Sequence, residues 1–481
     1  MLRTPRVSQL VIVLALAVIS GCAAPWFQDP QLAVTYTRAA QSDSPDRNPV
    51  VVIPGLLGTT LEHRDTGEAA WGGFDRISGN PRDPEVLRLL ALPFAPGKDG
   101  QLNAQDELIP AYVLERASVK LLGLPLDLEV YAGILNVLGV GGYRDESLAL
   151  AGAVDYGPGH FTCFQFPYDW RRDIVTSAQE LMAFMRDRHA TVAKALRVNG
   201  TPRETLKFDM VTHSMGGLVA RYFLMYGDQD LPADGSLPVL NWAGAEFVER
   251  VILVGTPNAG SALAFRNLVN GFSLGPLQPE YPPALLGTFA STYQLLPRNS
   301  QSAVVWQDSG EPVDDLFDPV LWHRNNWGML ADDQDRLLQD LLPQARTRAA
   351  RRAAATALQT RMLARAAHFH RAIDRDAPMP PGLEYFAVIG DQTPTPSVFA
   401  VAPQDNDLAV KETGYGDGTV LRSSVLNDQR TDDNWTPRIQ SPMRFRSVLF
   451  LPESHGGLTR SPVFTDNMLY WLLEDPRASA R

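Results

Sequence analysis

The most informative segment of this sequence reads Phe208-Asp209-Met210-Val211-Thr212-His213-Ser214-Met215-Gly216-Gly217-Leu218-Val219. Its apolar first half predicts a buried strand, and its second half predicts a helix. Small residues follow the serine, as a sharp turn between strand and helix requires, although Thr212 stands where glycine is usual. The segment therefore predicts that Ser214 occupies a strained turn at the carboxyl end of a strand, with its hydroxyl exposed as a nucleophile.

Short apolar runs predict five more strands along the chain. They cover residues 50–53, 161–166, 251–254, 384–389 and 447–451. Ser177 and Glu180 form a capping-box pattern that predicts the start of a helix, and residues 468–472 predict a closing helix. Strands that alternate with helices indicate an α/β fold with a mostly parallel central sheet flanked by helices.

The chain of 481 residues is longer than one ordinary domain, and two long segments interrupt this alternation. We interpret residues 59–160 as a lid-like insertion and residues 261–380 as a cap insertion. The core of the fold is then divided into a first part, residues 49–260, and a second part, residues 381–481.

Composition excludes several classes of protein. With 45% hydrophobic residues the chain can bury a substantial core, which excludes a disordered or fibrous protein. The net charge of −11 has the wrong sign for a nucleic-acid-binding protein. Two cysteines form neither a disulfide framework nor a multi-cysteine zinc site, and Cys163, in a predicted strand, is expected to be a buried thiol. A globular enzyme or a large binding protein remains.

The N-terminus has the features of an export signal. Two arginines precede the apolar run 10–19, which is shorter than the ~20 residues that a membrane-spanning helix needs. The run ends in Ile19-Ser20-Gly21-Cys22, which resembles a bacterial lipoprotein signal. We predict a signal peptide over 1–21, a lipid anchor on Cys22 and a tether over 22–48. The alternative is an ordinary signal peptide that is cleaved near the same cysteine.

Serine is a poor nucleophile near neutral pH and needs a base that a third group orients. His455 follows the last predicted strand, in the loop from which a base would reach the nucleophile. His213 adjoins Ser214, but neighbouring side chains at the end of a strand diverge, so we assign it a structural role. The other histidines lack such a position and are expected to be surface or packing residues: His63, His160, His189, His323, His368 and His370.

Two acidic residues compete for the position that orients His455. Asp391 follows the predicted strand 384–389. Asp417 lies in Gly414-Tyr415-Gly416-Asp417-Gly418, where glycines on both sides permit a tight turn that presents one carboxylate. We prefer Asp417, because such a turn has little other reason to hold an acidic residue. Its carboxylate would stabilise the protonated form of His455.

Two backbone segments are candidates for an oxyanion hole, which needs N–H donors aimed at a developing negative charge. One donor should be Met215, the residue after the nucleophile. The other should lie in the turn Pro54-Gly55-Leu56-Leu57-Gly58, after the first strand. We predict Leu56 as this second donor, with Gly55 letting the backbone approach closely.

Together these segments resemble the lecithin:cholesterol acyltransferase family. The resemblance is carried by the serine segment, His455, Ile53-Pro54-Gly55-Leu56-Leu57-Gly58-Thr59-Thr60-Leu61-Glu62, Phe166-Pro167-Tyr168-Asp169-Trp170-Arg171, Gly255-Thr256-Pro257-Asn258-Ala259-Gly260-Ser261 and Gly416-Asp417-Gly418-Thr419-Val420. It implies an α/β-hydrolase fold and serine-dependent acyl transfer from a phospholipid or similar ester, and it supports Asp417 over Asp391. Animal relatives pin a lid loop with a disulfide, whereas residues 59–160 contain no cysteine.

Two further segments each have two interpretations. Apolar residues recur at helical spacing in 131–138, as expected of a lid or acyl groove or, as we favour, of a helix packed on the sheet. Seven arginines and no acidic residue lie between Gln344 and Ile373. This helical segment would face anionic lipid headgroups or, as we again favour, would be a solvated helix of the cap.

The sequence therefore predicts a lipid-anchored enzyme of the bacterial cell envelope, on the periplasmic side of the outer membrane. Its substrate would be a phospholipid or another lipid ester, and its acyl-enzyme would pass the acyl group to an alcohol or to water. The alternatives are a carboxylesterase or triacylglycerol lipase with the same three residues, or a non-catalytic envelope lipoprotein that keeps the fold. The chemistry requires neither a metal nor an organic cofactor.

Overall fold

A computed structural model of the chain describes most of the residues after position 46. The described ranges are 47–72, 79–94, 106–114, 116–121, 124–129, 131–157, 160–273, 279–403, 406–431 and 434–477, with residues 36, 38 and 41. The predicted signal peptide, the predicted anchor Cys22 and most of the predicted tether lie outside the described residues.

Strands and helices alternate along the described chain. The strands are β1 Val50–Ile53, β2 Thr59–His63, β3 Ala69–Trp71, β4 Leu108–Val113, β5 Arg116–Leu121, β6 Leu124–Glu129, β7 Cys163–Gln165, β8 Phe208–His213, β9 Val248–Val254, β10 Phe272–Ser273, β11 Glu280–Tyr281, β12 Val304–Trp306, β13 Glu384–Gly390, β14 Thr393–Val401, β15 Leu408–Gly416 and β16 Phe445–Leu451. The α-helices are α1 Pro84–Leu90, α2 Ala132–Val140, α3 Glu146–Leu150, α4 Ile174–Val198, α5 Met215–Tyr226, α6 Ala262–Asn270, α7 Pro283–Leu286, α8 Ala290–Gln294, α9 Pro319–Asn325, α10 Asp335–Leu341, α11 Arg348–Ile373, α12 Arg422–Val425 and α13 Pro462–Leu473.

The central sheet has six parallel strands in the order β16-β13-β9-β8-β1-β7. These six strands are the ones that the apolar runs predict, so the predicted parallel sheet is confirmed. β1 shows why its sequence is continuously apolar. Val51 and Ile53 enter the larger apolar cluster on one face, whereas Val50 and Val52 enter a second cluster on the other. A strand that is covered on both faces has no polar side.

The carboxyl ends of these parallel strands meet at one edge of the sheet, where ligands bind in open α/β folds. The turn after β1, the start of α5 after β8 and the loop after β16 all lie at this edge. The chain order of the strands therefore brings together residues that are far apart in sequence.

Helix α4 begins earlier than predicted. Its N-cap is Asp173, whose carboxylate accepts a hydrogen bond from the N–H of Val175, and the helix extends from Ile174. The N–H of Ile174 donates to the side-chain oxygen of Gln294, 2.8 Å away. The prediction that the helix starts at Ser177 is therefore wrong, because Asp173 caps the helix one turn earlier and Gln294 of the cap insertion accepts a further N–H of its first turn.

The segment predicted as a lid-like insertion holds a small sheet, β3-β2-β4, the hairpin β5–β6 and helices α1 to α3. The apolar residues of 131–138 are buried, and α2 lies in the same apolar cluster as α13 and residues of β1. Of the two interpretations of this helix, the structure supports the helix that packs on the core.

The cap is built from helices α6 to α11 and a strand, β12, that pairs in parallel with β14. In chain order, β14 and β15 come after β13 and before β16, the two neighbouring strands of the central sheet. They pair with each other, and β14 also pairs with β12, so these three strands form a separate sheet of the cap. The sheet β12-β14-β15 thus combines strands from before and after residue 380.

Helix α11 contains most of the arginines of the basic segment, and several of them are paired. Arg348 lies 2.6 Å from Asp332, Arg351 lies 2.6 Å from Asp335, and Arg365 contacts both Asp173 and Asp230 at 2.5 Å. Its apolar side chains are buried. The helix is therefore a packed part of the cap and not a fully solvated one.

The end of the predicted tether belongs to the folded core. The buried side chain of Asn48 donates hydrogen bonds to Asp209 and Glu249. Tyr36 is also buried, with its hydroxyl 3.4 Å from the carbonyl oxygen of Asp466 in α13. Among the described residues, no helix is both long enough and apolar enough to cross a bilayer.

Candidate active site

Ser214 lies at the sharp turn between β8 and α5. Its φ of 53° is in the left-handed region, which a serine adopts only at a cost. Its N–H donates to the carbonyl of Val254, 2.8 Å away, and its hydroxyl does not cap the helix that follows. Gly216 allows this turn to pack closely, since a Cβ there would lie 2.3 Å from the carbonyl oxygen of Pro54. The serine hydroxyl is thus left for other partners.

His455 is brought to Ser214 by the loop after β16. Its Nε2 lies 2.9 Å from Ser214 Oγ, and its Nδ1 lies 2.7 Å from Asp417 Oδ2. Its backbone N–H donates to the carbonyl of Asp417, 2.8 Å away. One imidazole therefore links the hydroxyl to the carboxylate, with a second contact that holds its backbone.

Asp417 occupies the tight turn after β15, and its side chain is buried. Its Oδ1 accepts hydrogen bonds from the N–H groups of Thr419 at 2.9 Å and Val420 at 2.7 Å. Burial acts to raise the pKa of this carboxyl, but His455 and the two backbone donors outweigh burial and hold the pKa below its usual range. The competing residue, Asp391, instead lies 3.9 Å from Arg422.

The turn after β1 packs directly against the nucleophile. A Cβ on Gly55 would lie 2.8 Å from Ser214 Cβ, so only glycine permits this approach. Leu57 completes the turn with a φ of 65°. Met215 is the first residue of α5, and its N–H therefore has no acceptor within the helix. The oxyanion-hole roles of Leu56 and Met215 stay predictions.

The turn after β1 is also held by hydrogen bonds from the segment Tyr168-Asp169-Trp170-Arg171. The Tyr168 hydroxyl donates to the carbonyl of Pro54 at 3.0 Å, and the Trp170 indole donates to the carbonyl of Thr59 at 3.1 Å. The fully buried Arg171 pairs with Asp169 at 2.8 Å, contacts Asp106 and donates to the carbonyl of Leu90. The segment thereby fastens the turn and the lid-like insertion to the core.

Two buried residues, His213 and Tyr131, also contact the site. His213 is buried, with its ring centroid 4.9 Å from that of His455, and Tyr131 bonds to both His213 and the turn. The sequence signal for the contact of His213 with the site is its position directly before Ser214. Burial, with His455 adding to it, lowers the pKa of His213 to about 3, so it is not an alternative base. His368 and His370 bond to carbonyl oxygens in or beside the cap.

Within the described ranges, no group of three or more His, Cys, Asp or Glu side chains is arranged to hold a metal ion. Cys163, the free cysteine of the described chain, is buried, and burial raises the pKa of its thiol.

Comparison with protein families identifies the chain. Residues 153–429, more than half of its length, match the family described as lecithin:cholesterol acyltransferase. The chain belongs to this family. The matched region includes Ser214 and Asp417, whereas the turn after β1 and His455 lie outside it. Membership of the lecithin:cholesterol acyltransferase family supports an enzyme that acts on lipid esters.

Several solved structures are similar to this chain at low sequence identity. A structure described as the Tle4–Tli4 complex is 14% identical, with a TM-score of 0.53, and covers 89% of this chain and 98% of the other. EstA from Clostridium botulinum is 14% identical, with a TM-score of 0.36, and the match covers 90% of this chain and 88% of the other. Phospholipase PlaB from Legionella pneumophila is 15% identical, with a TM-score of 0.31, and the match covers 73% of this chain and 57% of the other.

The predicted α/β-hydrolase fold, with a mostly parallel central sheet flanked by helices, is confirmed. The comparison with curated proteins finds no significant match.

Proposed function

We propose that this member of the lecithin:cholesterol acyltransferase family is a serine-dependent enzyme that cleaves acyl esters of phospholipids or related lipids through an acyl-enzyme. One observation carries the proposal. Ser214 Oγ, His455 Nε2 and Nδ1, and Asp417 Oδ2 form a continuous chain with separations of 2.9 and 2.7 Å. This is the order of groups that activates a serine hydroxyl.

In the first half-reaction, Ser214 Oγ attacks the ester carbonyl while its proton passes to His455 Nε2. The imidazolium is stabilised by Asp417, which its two backbone donors keep ionised. The N–H groups of Leu56 and Met215 would stabilise the negative carbonyl oxygen. When the tetrahedral intermediate collapses, the ester C–O bond breaks and the leaving alcohol takes the proton from His455.

In the second half-reaction, an alcohol or a water molecule attacks the acyl-enzyme. His455 removes its proton, the bond to Ser214 Oγ breaks, and the same proton returns to Ser214. An alcohol yields a new ester, whereas water yields a free acid. The balance between transfer and hydrolysis depends on how well water is excluded from the acyl-enzyme.

The first test is the variant Ser214→Ala. It should lower phospholipid hydrolysis by at least about 10³-fold and abolish labelling by a fluorophosphonate, which reacts with activated serines. Ser300→Ala is a matched control, because Ser300 is an exposed serine in a short helix of the cap. It should keep full activity and full labelling. Unchanged hydrolysis in Ser214→Ala would refute Ser214 as the nucleophile, whereas a wild-type protein with neither hydrolysis nor labelling would favour a non-catalytic lipoprotein.

A product analysis then tests the substrate class. The enzyme is given a phospholipid with a labelled acyl chain together with a competing long-chain alcohol, and the labelled ester and labelled acid are quantified. A triglyceride and a soluble ester are measured in parallel. Rates on phospholipid above those on triglyceride support the proposal. The reverse order would identify a triacylglycerol lipase or carboxylesterase with the same three residues.

We also propose that Cys22 carries a lipid anchor and places the enzyme in the bacterial envelope, facing the periplasm. The proposal rests on the apolar run 10–19 and the cysteine after Gly21. Cells that express the full chain are fed a labelled fatty acid. The protein should incorporate the label and sediment with outer membranes, and Cys22→Ala should lose both properties. An unlabelled, freely soluble wild-type protein would contradict the anchor.

A further inference from the structure

A buried chain of hydrogen bonds connects the turn after β1 to the loop of His455 without passing through Ser214. The Tyr131 hydroxyl accepts a hydrogen bond from the N–H of Gly55 at 2.7 Å and lies 2.9 Å from His213 Nδ1. His213 Nε2 lies 3.2 Å from the carbonyl oxygen of His455. Tyr131 and His213 are both buried. The chain thus joins the predicted oxyanion turn to the backbone of the predicted base.

The chemistry of these groups assigns the protons. The Gly55 N–H is a donor, so the Tyr131 hydroxyl accepts there and has its own proton left to donate to His213 Nδ1. The carbonyl of His455 is an acceptor, so His213 must carry its proton on Nε2. His213 is then neutral, in agreement with the low pKa that its burial produces. Every group in the chain is satisfied by this single arrangement.

The peptide unit between Pro54 and Gly55 is hydrogen-bonded at both of its polar groups. The Tyr168 hydroxyl donates to the carbonyl of Pro54, and the Tyr131 hydroxyl accepts from the N–H of Gly55. These two groups belong to one planar peptide, so two buried hydroxyls determine its orientation. Leu56 follows directly, and the direction of its N–H depends on that peptide.

Gly58 makes room for this arrangement. A Cβ at position 58 would lie 2.9 Å from both the Tyr131 hydroxyl and the Cε2 atom of its ring. In the turn Pro54-Gly55-Leu56-Leu57-Gly58, Gly58 thus leaves space for Tyr131, whereas Gly55 leaves space for Ser214. The turn therefore packs closely against Tyr131, the N-cap residue of α2 in the lid-like insertion.

We propose that Tyr131 and His213 are positioning residues, which hold the oxyanion turn and the His455 loop in register with Ser214. Neither residue touches the reacting atoms. The inference rests on the proposed roles of Ser214, His455 and Asp417. A break in the chain should leave substrate binding intact but misplace the groups that stabilise the transition state, so kcat falls and KM does not.

The main test is Tyr131→Phe, which removes one hydroxyl and keeps the ring. We expect kcat on a soluble ester to fall between about tenfold and about a hundredfold, with KM within about twofold of the wild type. Tyr143→Phe is the matched control. Tyr143 is buried in the same apolar cluster, and its hydroxyl has no hydrogen-bond partner among the described residues. It should keep both kinetic constants, and thermal unfolding should show that both variants are folded.

A double variant tests whether the two residues act as a unit. His213→Phe removes both the acceptor for Tyr131 and the donor to the carbonyl of His455, so it should lower kcat and leave KM unchanged. The pair Tyr131→Phe with His213→Phe should lose little more than the worse single variant. Multiplied losses would show two independent effects and overturn the inference. A folded Tyr131→Phe enzyme with wild-type kcat, or a loss confined to KM, would overturn it as well.

Two further measurements separate this inference from the proposed function. Nitrogen-15 NMR of the histidine-labelled protein should show His213 neutral, with its proton on Nε2, and Tyr131→Phe should change this signal. Ser214→Ala is assayed in the same series. If it stays active, the proposed function and the positioning roles both fail. If it is inactive while Tyr131→Phe is fully active, only the positioning roles fail.

Discussion

At the amino end of the central sheet, Arg477 pairs with Asp209 and Glu249, whereas at the carboxyl end Ser214 contacts His455. Both ends bury polar side chains, and strand β8 contributes to both of them. At the amino end, Arg477 lies 2.7 Å from each of its two acidic partners, and Asn48 bonds to both of them. At the carboxyl end the groups form a line, and the backbone at Ser214 is strained.

The difference lies in how charge and strain are compensated. Next to the first cluster, the fully buried Arg250 pairs with Glu384 at 3.1 Å and Asp475 at 3.2 Å, so opposite charges meet directly. In the site, a neutral hydroxyl ends a chain that begins at one buried carboxylate. A compensated ion cluster stabilises the fold, whereas the line that ends on the Ser214 hydroxyl is the arrangement for which we propose reactivity. Burial of polar groups alone does not distinguish a site from a structural cluster.

The sharpest test of the carboxyl end is Asp417→Asn. The amide cannot stabilise a charged imidazole and favours the wrong tautomer of His455, so kcat should fall by about 10⁴-fold. Steady-state kinetics on a soluble ester measure the loss. Asp391→Asn is the matched control, because Asp391 also follows a strand of the sheet but pairs with Arg422. It should keep kcat within about twofold, and a large loss there would reverse the assignment.

The amino end should respond in the opposite way. Arg477→Leu leaves Asp209 and Glu249 buried together without their cation, so the free energy of unfolding should fall by about 3 kcal/mol. The kcat of the folded enzyme should not change. Urea unfolding and kinetics on the same preparation measure the two quantities, and Arg477→Lys, which keeps the charge, should lose less stability. A fall in kcat at wild-type stability would show that the two ends are coupled.

The sequence predicts the sheet and the line of Ser214, His455 and Asp417 because both are encoded locally. β-branched runs such as 50–53 indicate buried strands, and the fold's chain order then selects His455 after the last strand. The glycines around Asp417 favour it over Asp391 for the same local reason. Ser214, His455 and Asp417 are therefore accessible to reasoning from sequence, although they are far apart in the chain.

Other features depend on contacts between distant segments, which no local pattern contains. The start of α4 is capped locally by Asp173, but the acceptor for the N–H of Ile174 comes from Gln294, in the cap insertion. The chain through Tyr131 and His213 depends on the packing of α2 against the turn after β1. Tyr131 has the apolar spacing of an ordinary packed helix, and that spacing does not show that its hydroxyl bonds to Gly55 and His213.

The smallest effect is expected for an ion pair that is not buried. Arg348 and Asp332 lie 2.6 Å apart, but their side chains are 56% and 76% exposed. Solvent screens such a pair, so Arg348→Ala should change the free energy of unfolding by less than about 0.5 kcal/mol. If this holds while Arg477→Leu is severely destabilised, burial and not the mere presence of a partner separates the two ion pairs.

The same region tests the lipid-headgroup interpretation of the basic segment. Asp332 and Asp335 compensate Arg348 and Arg351, and Arg352 bonds to Asn326 and to the carbonyl of Leu330. Neutralising these three arginines should therefore leave the ratio of activities on anionic vesicles and on a soluble ester unchanged. A selective fall on anionic vesicles would show that the arginines still attract lipid despite their acidic partners, because a charge that is exposed to water acts on its surroundings as well as on its neighbour.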